Sequence, residues 1–280
     1  MTRRKSFIFF YPVHKERKMT IVPNRTVEFI LLVIMILTVY YYLRRVDKGL
    51  TLPRLRTIPA VLAIEEGIGR SLEVGKPVHF TMGSDGAPLT SSGMSTVIAA
   101  LGILRHTAKH CAQLAQRLII HLPSQAYAIP LIEGVVREAY LEAGKPELIQ
   151  PGDMHYYGWL TAAFSPGVYE SFSRDGVGLF IHTGYIITYE FPVLEAAKIH
   201  NAMSIGGTPR WTATYIFAIA CDYFFIGEEM LAAGAQVSGD PLLTSGLVSE
   251  EIWKFLALGL LVIGLILMAM GIDFVKIMSL

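Results

Sequence analysis

The stretch Phe80 to Thr96, FTMGSDGAPLTSSGMST, sets Gly83, Gly86 and Gly93 among Ser84, Ser91, Ser92 and Ser95, between a short apolar run and a long amphipathic one. Read as strand, glycine-rich loop and helix, it offers an anion the free backbone N–H groups and positive dipole end of a helix start. The phosphate-loop pattern GxxxxGK[ST] and the dinucleotide pattern GxGxxG are both missing, and no lysine lies between Lys76 and Lys109. Two readings stand. The loop is the rim of a pocket for a nucleotide or other anionic metabolite, or it is a plain connection in which Asp85-Gly86 turns the chain and Ser95 caps the helix.

Several acids sit in apolar surroundings where a carboxylate without a partner would be costly: Glu190 and Glu195 in YEFPVLEAA, and Asp222, Glu228 and Glu229 in CDYFFIGEEMLAAGA. Arg210, a helix-start N–H group, a metal or a neighbouring subunit would satisfy them. A strand ending at Cys221 would bring Asp222 to its carboxyl end, where α/β sheets keep their functional groups. The alternative has Asp222 capping the next helix, with Glu228 and Glu229 on its surface. The candidate ligand-binding set is therefore Gly83, Ser84, Gly86, Ser92, Ser95, Glu190 and Asp222.

No catalytic residue is assigned. Asn201 to Gly207, NAMSIGG, approximates the GxSxG nucleophile turn with Ser204 central, but Ala202 replaces the first glycine and Pro209 interrupts the helix that should follow. His106 and His110 are four apart on a helix, with Cys111 adjacent, a spacing that supplies part of a metal site. Arg105 and Lys109 would repel a cation there and HExxH is missing, so the pair reads as a solvated helix face. No metal and no cofactor is assigned.

The elements that must position these residues alternate in type. Helical spacing covers Ile58 to Leu72, Ser95 to Gln116, Leu131 to Ala143, Leu160 to Phe172, Tyr189 to Asn201 and Tyr223 to Gly234. Strands are expected over Pro77 to Thr81, Arg117 to Leu122, Met154 to Trp159, Gly178 to His182 and Thr214 to Ala220, the last a buried central strand because TYIFAIA is continuously apolar. Gly144 and Pro146 stop the third helix. This order implies an α/β fold: a mainly parallel, Rossmann-like sheet with helices on both faces.

The chain of 280 residues is 52% hydrophobic, with a mean hydropathy of +0.46, above the soluble range. Two stretches account for this. Phe29 to Leu43 (FILLVIMILTVYYYL), which Thr26 and Val27 extend, is just long enough for a bilayer core that needs roughly 17–20 helical residues. Phe255 to Ile272 (FLALGLLVIGLILMAMGI) has no charge and follows Trp253 and Lys254, suited to a headgroup boundary. The expected organisation is a basic segment over 1–25, a transmembrane helix over 26–43, a basic linker over 44–60, one α/β domain over 61–250, a second transmembrane helix over 252–272 and a short tail. Cations flank the first span on both sides. Translation from Met19 would leave only Arg25 before it and place the large domain in the cytoplasm, in keeping with two separated cysteines, Cys111 and Cys221, read as reduced thiols. A net charge of +1 and the lack of a basic surface within the domain give no reason to expect nucleic acid.

Ala63 to Gly83 (AIEEGIGRSLEVGKPVHFTMG) and Cys221 to Ala235 (CDYFFIGEEMLAAGA) resemble an uncharacterised family of archaeal and bacterial membrane proteins that carry one α/β domain of unknown function between terminal hydrophobic helices. The resemblance covers most of residues 55 to 250 and implies the same architecture, with no catalytic residues. Together these features suggest a two-pass cell-membrane protein. Its domain would serve a non-catalytic assembly, scaffold or partner-binding role, or bind a nucleotide or anionic metabolite as an enzyme or sensor. The expected partners are the lipid bilayer and a second copy or another membrane-complex subunit.

Overall fold

The computed structural model describes residues 26–50, 56–84, 93–186 and 190–271; the basic segment before Thr26, Pro53 of the linker, most of the glycine-rich loop and the tail after Gly271 lie outside the described residues. The chain divides into two compact units, residues 45–248 and the terminal segments 1–44 with 249–280.

The larger unit is a doubly wound α/β domain. Helix α2 (Pro59–Glu73) leads into β1 (Val78–Thr81), α3 (Met94–Leu114), β2 (Leu118–Leu122), α4 (Ile129–Glu142) and β3 (Met154–Tyr156). After these come α5 (Thr161–Asp175), β4 (Leu179–Thr183), α6 (Phe191–Ile199), β5 (Met203–Thr208), α7 (Trp211–Ala220), β6 (Tyr223–Ile226) and α8 (Glu229–Ser238). Six parallel strands lie in the order β3-β2-β1-β4-β5-β6. The first half of the sheet therefore grows outward from β1 in one direction and the second half from β4 in the other, the strand order of a Rossmann fold.

Each face of the sheet has its own core. On one face Val78, Phe80, Leu118, Ile120, Leu179, Ile181, Ile205 and Phe225 pack against α2, α3, α4 and α8. On the other, Phe180 packs with Phe164 and Phe172 of α5, Val193 and Leu194 of α6, and Ile216 and Phe217 of α7. Helices α3 and α8 approach until their backbones touch: a Cβ on Gly234 would stand 2.5 Å from Ala99 Cα, and one on Gly102 would stand 2.9 Å from Gly234 O. Only glycine permits that crossing. Both cysteines are free thiols; burial pushes Cys221 up to about 12, with the Asp222 carboxylate adding to it.

One expectation is overturned. Thr214 to Ala220 is not a strand but the body of α7, and the last strand is Tyr223–Ile226, within the stretch expected to be helical. Ala213, Ile216, Phe217 and Ala220 are buried while Tyr215 and Ile219 are exposed, a 3–4 spacing that lets a wholly apolar decapeptide bury one side as a helix. Asn201 to Gly207 supplies β5, so Ser204 lies within a strand and not at a nucleophile turn.

In the other unit, α1 (Thr26–Asp47) and the apolar part of α9 (Pro241–Ala269) are helices long and apolar enough to cross a membrane. Their Phe29, Leu37, Phe255 and Leu265 side chains are exposed. The stretch Pro241 to Ser249 is already helical, so α9 runs unbroken over 29 residues, about 43 Å at 1.5 Å per residue.

Candidate functional site

The connection leaving β1 leads to a helix on one face of the sheet, and that leaving β4 leads to a helix on the other. They part at the carboxyl ends of two neighbouring strands, and the crevice so opened is where doubly wound sheets bind ligands. The crevice is tight. Gly83, after β1, has φ +87°, and a Cβ there would stand 2.9 Å from Ile186 Cγ1 and 3.3 Å from Tyr185 O; one on Gly184, after β4, would run into Met82 O. The N–H of Gly83 donates to Thr81 Oγ1 (3.1 Å), and Ser84 O accepts from Ser124 N (2.8 Å), which pins the start of the glycine-rich loop to the end of β2.

At the centre stands Glu190, 2% exposed, immediately before α6. Its Oε1 accepts from the backbone N–H of Ser84 (2.8 Å) and from the Ser84 hydroxyl (2.6 Å). Its Oε2 lies 2.7 Å from His182 Nε2 on β4. The buried Nδ1 of His182, on the other side of the ring, has no partner among the described residues; nor has Thr183 Oγ1 beside it. Of about four lone-pair positions on Glu190, three are used. Glu190 also lines a cavity of about 340 Å³, together with Ser84, Pro192, Thr161, Ala162 and Ser165. Thr161 and Ala162 open α5, whose N-terminus has no side-chain cap and so leaves N–H groups to accept a negative group. Arg210, after β5, stacks its guanidinium 4.6 Å above the Tyr185 ring.

The residues singled out in the sequence separate in space. Gly83, Ser84 and Glu190 come together. Gly86 and Ser92 lie outside the described residues. Ser95 is an exposed residue inside the first turn of α3, whose N-cap is Gly93 with no side-chain cap, so Ser95 does not cap the helix as expected. Asp222 lies at the opposite end of the sheet, because β6 begins after it instead of ending before it. There its Oδ2 accepts from Ser204 N (2.7 Å) and Oγ (3.0 Å), and it caps no helix. Glu229 pairs with Arg56, and Glu195 is exposed on α6.

A seam of histidines escaped the sequence reading. His155, His121, Thr81 and His182 occupy one row across β3, β2, β1 and β4, and His79 lies two residues before Thr81 on the same face. His79 Nε2 donates to Gly176 O (2.8 Å), so His79 Nδ1 must accept from His121 Nε2 (2.9 Å), and His121 Nδ1 must accept from the Tyr157 hydroxyl (2.8 Å). One carbonyl thus sets the proton position on both rings. A proton added at His79 Nδ1 would face the His121 Nε2–H, and one added at His121 Nδ1 would force the Tyr157 hydroxyl to turn from donor to acceptor. Burial holds His79 down at about 3, opposed by the Gly176 hydrogen bond, and holds His121 well below its ordinary value, with His79 adding to it. The available signal was a histidine inside each of three otherwise apolar strands, VHFT, LIIHL and LFIHT.

A second polar cluster joins two helices. Glu65 of α2 reaches His106 and His110 of α3, and these three side chains could hold a metal ion. Burial, with repulsion from His110, holds His106 down at about 4 against the pull of Glu65.

Fold and site together define a Rossmann-ordered α/β domain with a buried carboxylate–histidine pair at its switch point, in a chain that also carries two membrane-length apolar helices. The chain belongs to the family described as Domain of unknown function (DUF6754), which matches residues 17–279. No curated protein and no solved structure matches it.

Proposed function

We propose that this domain is a membrane-tethered binding module for a small polar metabolite that carries both a hydrogen-bond donor and an acidic group. Glu190 carries the reading: a carboxylate 2% exposed, backed by His182, that lines a cavity. A bare phosphate at the start of the glycine-rich loop is disfavoured, because Glu190 already takes the Ser84 N–H and would repel an anion there. A hydroxyl or amino group fits Glu190, and an acidic group fits the N-terminus of α5. Glu190 is also placed to accept a proton from such a ligand, which keeps a sensor and an enzyme within one reading. The test is a thermal-shift screen of the detergent-solubilised full chain against hydroxy acids, amino acids and nucleotides. A ligand that raises Tm for the wild type and binds at least tenfold more weakly to Glu190→Gln is expected. If no compound shifts Tm, or Glu190→Gln binds as the wild type does, the reading is wrong.

The assembly role is a second reading, supported by the exposed apolar surface of α7 and β6. Trp211, 86% exposed, lines a groove with Tyr215 and Ile226, and Ile219 on the same helix is 70% exposed. A second copy of the chain is the expected occupant, and Trp211→Glu should reduce the mass measured by light scattering to that of a monomer. A wild type that is already monomeric rejects this reading. We further propose a two-pass topology in the cell membrane with residues 45–248 in the cytoplasm, favoured by Arg44, Arg45 and Lys48 after the apolar stretch. Labelling of a cysteine introduced at the exposed Glu195 by an impermeant reagent in intact cells would contradict it.

A further inference from the structure

We propose that Glu65, His106 and His110 form a binding site for a zinc-class divalent transition-metal ion that clips α2 to α3. His106 and His110 lie one turn apart on α3 with ring centroids 4.4 Å apart, and Glu65 projects to them from α2. Glu65 Oε1 stands 3.5 Å from His106 Nε2 and 3.4 Å from His110 Nε2, and the ligand atoms of all three residues lie within 4.8 Å of one another. Bonds of about 2.0–2.1 Å at a tetrahedral ion place neighbouring ligand atoms about 3.3–3.4 Å apart. The two separations from Glu65 thus already match tetrahedral edges, while they are too long for strong hydrogen bonds. His106 Nε2 is closed to solvent and makes no hydrogen bond among the described residues, an orphaned nitrogen that a metal would satisfy.

The neighbouring cations are paired on the far side of α3. Arg105 is engaged by Glu142 and lies 3.5 Å from Glu138, and Lys109 lies 3.4 Å from Glu142, so both charges are balanced on the side of α4. Lys109 still acts on His106, but less strongly than the Glu65 carboxylate does. Two imidazoles and one carboxylate select zinc and its first-row neighbours over Mg²⁺ or Ca²⁺, which prefer all-oxygen sites. Three protein ligands leave a fourth position for water or an outside ligand.

The test uses the full chain without a polyhistidine tag, solubilised in detergent and stripped with a chelator. Titration with Zn²⁺ should show one equivalent bound, and Co²⁺ should give the intense visible absorption of a four-coordinate ion, with no response to Mg²⁺ or Ca²⁺. Glu65 is 56% and His110 30% exposed in their side chains, so Glu65→Gln and His110→Asn should fold. Each should weaken Zn²⁺ binding by more than the about 10–100-fold that loss of an outer-sphere partner costs. Glu66→Gln, whose partner is Arg70, should leave binding unchanged. Absence of a zinc equivalent in the wild type, or retention of full affinity in His106→Asn/His110→Asn, would overturn the proposal.

Discussion

Acid should destabilise the domain well above the pH at which its carboxylates protonate, and the His79–His121 pair should be the cause. Both rings are 0% exposed and locked neutral by the chain from Gly176 O to the Tyr157 hydroxyl. In the unfolded chain each would titrate near 6.5, whereas His79 is held at about 3 when folded and His121 is likewise depressed. Between those values the unfolded state binds more protons than the native state, so stability rises with pH; it is complete above 6.5 and is lost as pH falls toward the folded values. Each histidine then costs about 1.4 kcal/mol per pH unit, or about 2 kcal/mol from pH 7 to pH 5, and the pair about 4 kcal/mol. That is a large share of the about 5–15 kcal/mol typical of a domain. The surrounding charged and titratable groups are His155, His182, Asp175, Arg117 and Arg174. Denaturant unfolding of the full chain followed by circular dichroism at pH 7, 6 and 5 measures the slope, and His79→Gln/His121→Gln should flatten it. A fall below about 1.5 kcal/mol over this range, or an equal fall in the double variant, refutes the reasoning.

Glu190→Ala leaves Ser84 N–H, the Ser84 hydroxyl and His182 Nε2 without their acceptor, and at about 1–3 kcal/mol for each buried donor it should lower stability by about 3–9 kcal/mol in denaturant melts. Glu190→Gln, which retains an acceptor for Ser84, should lose less than half of that. A methyl on Gly184 meets the backbone of the neighbouring connection; Gly184→Ala should cost about 3 kcal/mol or more and abolish any ligand-induced thermal shift. Gly234→Ala should cost about 2 kcal/mol by forcing α3 and α8 apart, whereas Gly134→Ala on α4, where nothing lies within 4 Å, should stabilise by about 0.5–1 kcal/mol.

The parts of this architecture legible in the amino-acid order are those with a local cause. Helices α2 to α6 announce themselves through apolar spacing and stops such as Gly144, whose φ of +71° ends α4. Strands β1 to β4 stand out as short β-branched or apolar runs between those helices. TYIFAIA failed because a continuous apolar run has no periodicity to separate a buried strand from a helix with one buried side. The error moved β6, and with it moved Asp222 from the expected carboxyl end of the sheet to the amino end. Glu190 was legible because an acid in YEFPVLEAA demands a partner, but the partners, Ser84 and His182, come from two other strands' ends. Nothing in the spacing of His106 and His110 points to Glu65, which arrives from a separate helix.

Helix α3 follows the glycine-rich loop at its first residue, is clamped on α8 through Gly102 near its middle, and bears His106 and His110 toward its far end. It is a single rod of 21 residues, about 31 Å long. The glycine crossing thus fixes the part of this rod nearer the sheet's switch point, while the histidine pair rides on the half beyond it, against α2.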